Sequence, residues 1–337
     1  MNTTLTTPDL LKIQNYAKSL GFVATGWLNL KTVEPEFVSF YQNWLNRGYQ
    51  GDMEYLVRHF PLKQSFTNVF SEVESIMVLA FPYKVFPTAK PPFISGYARG
   101  MDYHLILRKK LTKIANFITA NFSGKFKVAV DSAPLPERYL ARLAGLGWIG
   151  KSGNFIVPDH GPNVFLGEIL TNLKVQPQNR IIPDQCGNCN LCLNNCPTGA
   201  INHDKTINTK LCLSAYTTEF NSLPPIRLHQ AFSGRFFGCE NCVSFCPHTK
   251  FQPFTPEELT TPLTKEEFID LPALKMGRTF KNTTLSRLSR KKLLQNYLLA
   301  IYSGPLSTSQ KKALLKKFKP ETTNHQTLKK QLLQKIP

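Results

Sequence analysis

The sequence predicts an α+β protein in three parts. Residues 1–175 read as a sheet domain, 176–262 as a ferredoxin-like cysteine domain and 263–337 as a basic helical region. Three observations support this division. All eight cysteines fall between Cys186 and Cys246. Before them, strand-like apolar runs alternate with stretches of helical period. After about Lys265 the pattern is helical only.

The cysteine region begins Cys186-Gly-Asn-Cys189-Asn-Leu-Cys192-Leu-Asn-Asn-Cys196-Pro197 and, after a lone Cys212, ends Cys239-Glu-Asn-Cys242-Val-Ser-Phe-Cys246-Pro247. The first run is the bacterial ferredoxin spacing for a 4Fe–4S cluster, whose fourth cysteine ligates the other cluster of a pair. Crossing the fourth cysteines gives two sets of four. Cys186, Cys189, Cys192 and Cys246 hold one cluster; Cys196, Cys212, Cys239 and Cys242 hold the second. Disulfides are the poorer reading, because the sequence shows no secretory signal and such short loops would be strained. Two tetrathiolate zinc sites would also use C-x2-C pairs, but leave the third cysteine and both C-x3-C-P endings without a reason.

At 337 residues and 42% hydrophobic content the chain is globular in composition. No apolar run approaches the roughly 18 to 20 residues of a membrane span, and a cytoplasmic, monomeric protein is expected. The formal charge is +19, and 14 Lys or Arg against one acid lie from Arg278 onward. Such asymmetry points to a polyanionic partner, nucleic acid before membrane. A solvated helical surface is the plainer alternative.

Taken in order, Met1 to Thr6 are expected to fray, and Thr7-Pro8 to cap a helix that Gly21 ends. Phe22 to Trp27 reads as a strand. Glu36 to Arg47 reads as a helix burying Phe37, Phe40, Tyr41 and Trp44. Ser75 to Phe81 is a continuous apolar run ended by Pro82, as in a buried strand. A proline-rich loop over 82–92 precedes a long helix from about Tyr103 to Phe122. A strand from Lys125 to Val130 delivers Asp131 at its end. Leu135 to Leu146 is helical; Gly145, Gly147 and Gly150 make a tight bend before Lys151. Strands over Asn154–Val157 and Val164–Leu170 complete the domain. The cysteine region is loop-rich, with clusters expected in place of a hydrophobic core. Leu285 to Ser303, Gln310 to Phe318 and Thr327 to Ile336 are amphipathic, without a clear repeat.

Several stretches together resemble the epoxyqueuosine reductase family. They are Gly100-Met-Asp-Tyr-His104, Asp131-Ser-Ala-Pro-Leu-Pro-Glu-Arg138, Ala144-Gly-Leu-Gly-Trp-Ile-Gly-Lys151, Phe165-Leu-Gly-Glu-Ile-Leu-Thr171 and the double-cluster run with Arg235-Phe-Phe-Gly-Cys239. The resemblance implies reduction of an epoxide on the modified wobble base of a tRNA, the last step of queuosine synthesis. It implies a nitroreductase-like α/β domain holding base-off cobalamin, fed with electrons by the two 4Fe–4S clusters. It also implies a short HEAT-like helical tail and an external one-electron donor such as ferredoxin or flavodoxin. Asp131 matches the family's proton donor, a role that needs its pKa raised by burial; a helix cap is the alternative. Tyr103 and His104 are candidates to aid proton delivery, and Arg58, Asp131, Lys151, Ser152 and Ser214 to contact the cofactor. Arg138 is expected to pair with a carboxylate. The chain departs from the family pattern after Cys212, at Ser152-Gly153, at Gly234 and at Pro247-His248-Thr249. A cobalamin- or flavin-dependent reductase of a small molecule, or a ferredoxin-type electron carrier, are the other readings; the basic tail favours tRNA.

Overall fold

The computed structural model describes residues 4–85, 94–177, 179–251 and 280–336. The expected boundary at 262/263, the first part of the helical region and most of the proline-rich loop lie outside the described residues.

A four-stranded sheet organises the first half. Its strands are β2 (Ala24–Leu28), β3 (Ser75–Pro82), β4 (Phe126–Ala129) and β7 (Val164–Thr171), in the order β2-β3-β7-β4. Every pairing is antiparallel, with Ile76 opposite Leu170 and Ala129 opposite Glu168. The apolar run of β3 does not alternate because both faces are covered. Ile76, Val78 and Ala80 pack towards one core, shared with Phe66 and with Tyr139, Leu140 and Ala141 of α5 (Glu137–Leu143). Met77 and Leu79 pack towards the other, shared with Ile13 of α1 (Thr7–Ser19) and with Leu107, Leu111 and Ile114 of α4 (Tyr103–Phe122). Each of the five β3 side chains is 0% exposed. Truncating such an Ile to Ala costs about 2 to 5 kcal/mol.

Several local expectations are corrected. Thr4 and Leu5 form β1, a parallel pair with Lys174 and Val175 (β8), so this end is tied down by strand pairing. The cap of α1 is Thr6 in a capping box with Asp9, one residue before the expected Thr7. In α2 (Pro35–Asn46) Phe40 is 51% exposed, and Leu45 is buried instead. An unexpected helix, α3 (Glu54–Lys63), carries Pro61 in its last turn. The glycine bend forms a hairpin of β5 (Trp148–Ile149) and β6 (Phe155–Ile156). A Cβ on Gly147 would lie 1.9 Å from the Ile156 carbonyl oxygen, so only glycine allows this approach.

The cysteine region has a hydrophobic core after all. Leu213, Tyr216, Phe220, Leu228 and Phe232 pack with Leu298, Leu299 and Ile301 of α9 (Arg290–Ser303), and with Leu315, Leu328 and Leu332. The last three belong to α10 (Thr308–Lys317) and α11 (Thr323–Lys335). Phe236 and Phe237 join Ile94, Ala98, Phe280, Leu285 and Leu293 in a further cluster. The helical region therefore completes the cluster region's interior. Clusters do not replace that interior, because the long side chains of the loops still need covering.

Candidate active site

Asp131 follows β4 and adopts φ +53, a left-handed conformation that aspartate tolerates better than most residues. Its side chain is 53% exposed. Its Oδ2 lies 2.9 Å from Nε2 of His104, whose Nδ1 lies 2.6 Å from Oδ1 of Asp102. Asp102 caps α4 by accepting the His104 N–H. One short segment thus starts a helix and fixes the imidazole ring. Tyr103 completes the wall: its ring stacks on Phe165 at 4.1 Å and on His104 at 3.9 Å.

The expected rise in the Asp131 pKa is overturned. Burial raises it, but the His104 hydrogen bond and charge outweigh burial, so the carboxyl sits below its usual 3.8. Burial likewise lowers His104, yet hydrogen bonds to Asp102 and Asp131 carry it above 6.5. The proton rests on the imidazole, shared towards Asp131.

Glu137 shifts the other way, pushed up to about 7 by burial and then by the Asp131 charge. Its Oε1 accepts the Asp131 main-chain N–H at 2.6 Å. Behind it Glu168 is 0% exposed, and neither of its oxygens has a hydrogen-bond partner among the described residues. Burial raises Glu168 well above 4.5, which favours its neutral form. Lys63 of α3, lowered by burial, feels both carboxyls and donates to the Leu135 carbonyl. Asp102, Glu137, Glu168 and Lys63 were not singled out from sequence. Glu168 had a signal, a lone charge inside an apolar strand.

Other candidates are placed differently. Arg58 is exposed on α3, with no hydrogen bond or ion pair among the described residues. Arg138 feels the Glu137 charge without a carboxylate ion pair among the described residues; it donates to the Gly153 carbonyl, which the turn after Lys151 brings within reach. Lys151 Nζ donates to the Gly187 carbonyl at 2.7 Å and to Asn190 at 3.1 Å, tying the hairpin to the first cysteine loop. Ser152 is buried and accepts from Asn154. Ser214 lies on α7 (Leu213–Thr218), beside the Tyr97 hydroxyl, which burial raises. Arg287, just before α9, reaches to 3.9 Å from Asp102.

None of the eight cysteines is in a disulfide. Cys246 feels Cys186, Cys192 and Cys189, whereas Cys242 feels Cys239, Cys212 and Cys196. Helices α6 (Leu191–Asn194) and α8 (Asn241–Ser244), each just ahead of the last cysteine of its run, pack together. Among the described residues no three Cys, His, Asp or Glu side chains converge on a single ion. The Cys242 group is the drier one, and burial pushes the Cys212 thiol up to about 11. Asn154 Nδ2 and the Ala200 N–H donate to the sulfurs of Cys242 and Cys196 at 3.4 and 3.3 Å.

Residues 185–249 match the 4Fe-4S double cluster binding domain, and residues 63–132 match "Epoxyqueuosine reductase QueG, DUF1730". The epoxyqueuosine reductase of Gloeobacter violaceus is 31% identical over 319 residues, 90% of this chain and 99% of that protein. The chain belongs to the epoxyqueuosine reductase family. A structure of an epoxyqueuosine reductase with a tRNA-Tyr epoxyqueuosine-modified stem loop is similar in fold. Its TM-score is 0.77 at 22% identity, covering 96% of this chain and 98% of that one. The Bacillus subtilis family member, with its catalytic aspartate loop swung out of the active site, gives 0.75 at 21% identity, covering 96% and 98%. Among the described residues no helix is long and apolar enough to cross a membrane.

Proposed function

We propose that this protein reduces epoxyqueuosine to queuosine in the anticodon loop of tRNA, with electrons passing through two 4Fe–4S clusters to a cobalamin. The observation that carries the reading is the Asp131–His104–Asp102 chain in a member of this family, a held proton beside an open carboxylate. Two electrons and two protons are consumed: both epoxide C–O bonds break, a C=C bond forms and the oxygen leaves as water. His104, through Asp131, supplies a proton to that oxygen as the first C–O bond opens. Neutral phenols of Tyr103 and Tyr55, and the cation of Arg287, surround the site without competing for that proton.

The cofactor reading is supported by the half-exposed Asp131 and by groups from several elements within range of its charge. Tyr55 of α3, Glu219 after α7 and Arg287 are among them. Tyr103, His104 and Ser214 would face a nitroreductase-like cobalamin domain's ring. The bound cobalamin would supply low-valent cobalt, the reductant that side chains lack. The two thiol groups would hold the clusters, the Cys186 set towards solvent and the Cys212 set inside. The helical region, a short HEAT-like tail, would meet tRNA phosphates, in a cytoplasmic monomer served by a ferredoxin or flavodoxin.

Nucleoside analysis of tRNA from a deletion strain tests the reading. Epoxyqueuosine should accumulate and disappear on complementation. Normal queuosine in that strain would overturn it.

A further inference from the structure

Asp131 is held from two sides, and only one hold is on its carboxylate. His104 takes the side chain; Glu137 takes the backbone, at 2.6 Å from the Asp131 nitrogen. The Glu137 bond closes a turn in which Asp131 sits at φ +53, a conformation that costs a non-glycine residue about 1 kcal/mol or more. Without that acceptor the turn keeps only the Ser132 bonds to the Val130 carbonyl and the side-chain hold of His104. Glu137 is a fixed post, because it opens α5, whose Tyr139, Leu140 and Ala141 are buried in the sheet core.

We propose that Glu137 is the positioning residue of the acid loop: by accepting the Asp131 N–H, its carboxyl oxygen holds the loop so that the Asp131 side chain meets His104. The proposal rests on the reading of Asp131 as proton donor. The loop must be held because a flexible one would leave the acid out of reach of the epoxide oxygen. The groups facing Glu137 are Asp131 itself, Tyr103 of α4, Lys63 of α3, Glu168 of β7 and the neighbouring Arg138. They leave Glu137 part neutral around neutrality, and either form keeps an oxygen that accepts. The hold depends on an acceptor atom, not on charge, so glutamine should replace glutamate.

The test uses the full cluster-loaded chain without corrinoid for amide exchange, and the complete enzyme for kinetics. Glu137→Met keeps length and removes the acceptor; Glu137→Gln keeps the acceptor. Losing a hydrogen bond to a partly charged acceptor, at about 1.5 kcal/mol, corresponds to about tenfold. Met should speed exchange of the Asp131 amide about tenfold or more. It should lower kcat by a similar factor, with KM for modified stem-loop RNA unchanged. Gln should stay within about threefold of wild type in all three. Should Met lower cluster content, Glu137→Ala provides the same comparison. Wild-type exchange in an acceptor-less variant, or a Gln variant as impaired as Met, would overturn the proposal. Asp131→Asn is measured alongside. Full turnover in that variant would sink the acid reading, while amide exchange would still report the hold.

Discussion

His104 stands between two carboxylates, 2.9 Å from Asp131 on one nitrogen and 2.6 Å from Asp102 on the other. One imidazole bonds both carboxylates, so the proton it carries is shared between them. Asp102 is the fixed end, because it also caps α4, while Asp131 is the open end.

Replacing the open end should stop proton delivery without disturbing the fold. General acid assistance is worth about 10² to 10⁴ in rate. Asp131→Asn should lose about that factor in single-turnover reduction of epoxyqueuosine tRNA by prereduced enzyme. Corrinoid content and cluster absorbance should stay as in wild type. A variant keeping more than about a tenth of the rate would make Asp131 a structural turn residue.

The pH dependence follows from the directions of the shifts. His104 is raised above 6.5, so its share of stability is full below that value and lost as pH climbs through the folded pKa. Asp102 and Asp131 are lowered below 3.8, so theirs is present above that value and lost as pH falls through their folded pKa values. Melting curves of wild type and His104→Asn should therefore differ most between these limits, near about pH 5, and converge in strong acid and base. A constant difference at all pH would mean that only packing was lost.

Cys196 tests the crossing of ligands. It belongs to the first motif by sequence, yet Cys239 and Cys242 feel its charge. Cys196→Ser should damage the more buried cluster and leave the signal of the cluster on Cys186, Cys189 and Cys192 in place. About eight iron per chain are expected after anaerobic reconstitution of wild type, four per cluster. Loss confined to the Cys186 cluster would show that the motifs are not crossed.

The sheet was legible because β3 and β7 are long apolar runs, and because the helices between them are strongly periodic. The clusters were legible because cysteine spacing is itself the ligand geometry. What stayed hidden was long-range. Glu137 reads as an ordinary first-turn acid until folding sets it under the Asp131 amide. Asp131 looked like a buried acid; its direction reversed because His104, 27 residues away, donates to it. Lys292 counted as tail charge, but it is buried and donates to the Tyr216 carbonyl. No local pattern distinguishes it from its exposed neighbour Lys291.

Glu168 gives a prediction of its own. Its folded pKa is raised, so its contribution is present below 4.5 and is lost as pH rises, when the unfolded chain ionises and the buried acid does not. Glu168→Gln removes that dependence while keeping the shape. The variant should melt near wild type in acid and above it in mild base. Identical pH slopes for the two proteins would mean that Glu168 is ionised and paired in the folded state.

The last prediction concerns the basic tail. Its +13 overstates what a partner can reach. Lys292 is buried, Arg290 pairs with Glu321, and Lys329 donates to the carbonyls of Lys316 and Phe318. Lys316 and Lys317 are exposed in the last turn of α10, with Lys311 and Lys312 half-buried earlier on it. These four have no ion pair among the described residues, which leaves them free to neutralise phosphates. Each phosphate contact releases counterions and adds about 0.7 to 0.9 to the slope of log affinity against log salt. Changing all four to Gln should weaken tRNA binding and reduce that slope by about 3 to 4. Turnover of the free nucleoside should hardly change, because α10 makes none of the contacts around Asp131. A slope equal to wild type would mean that these lysines only solvate the helix, and that the polyanion lies elsewhere.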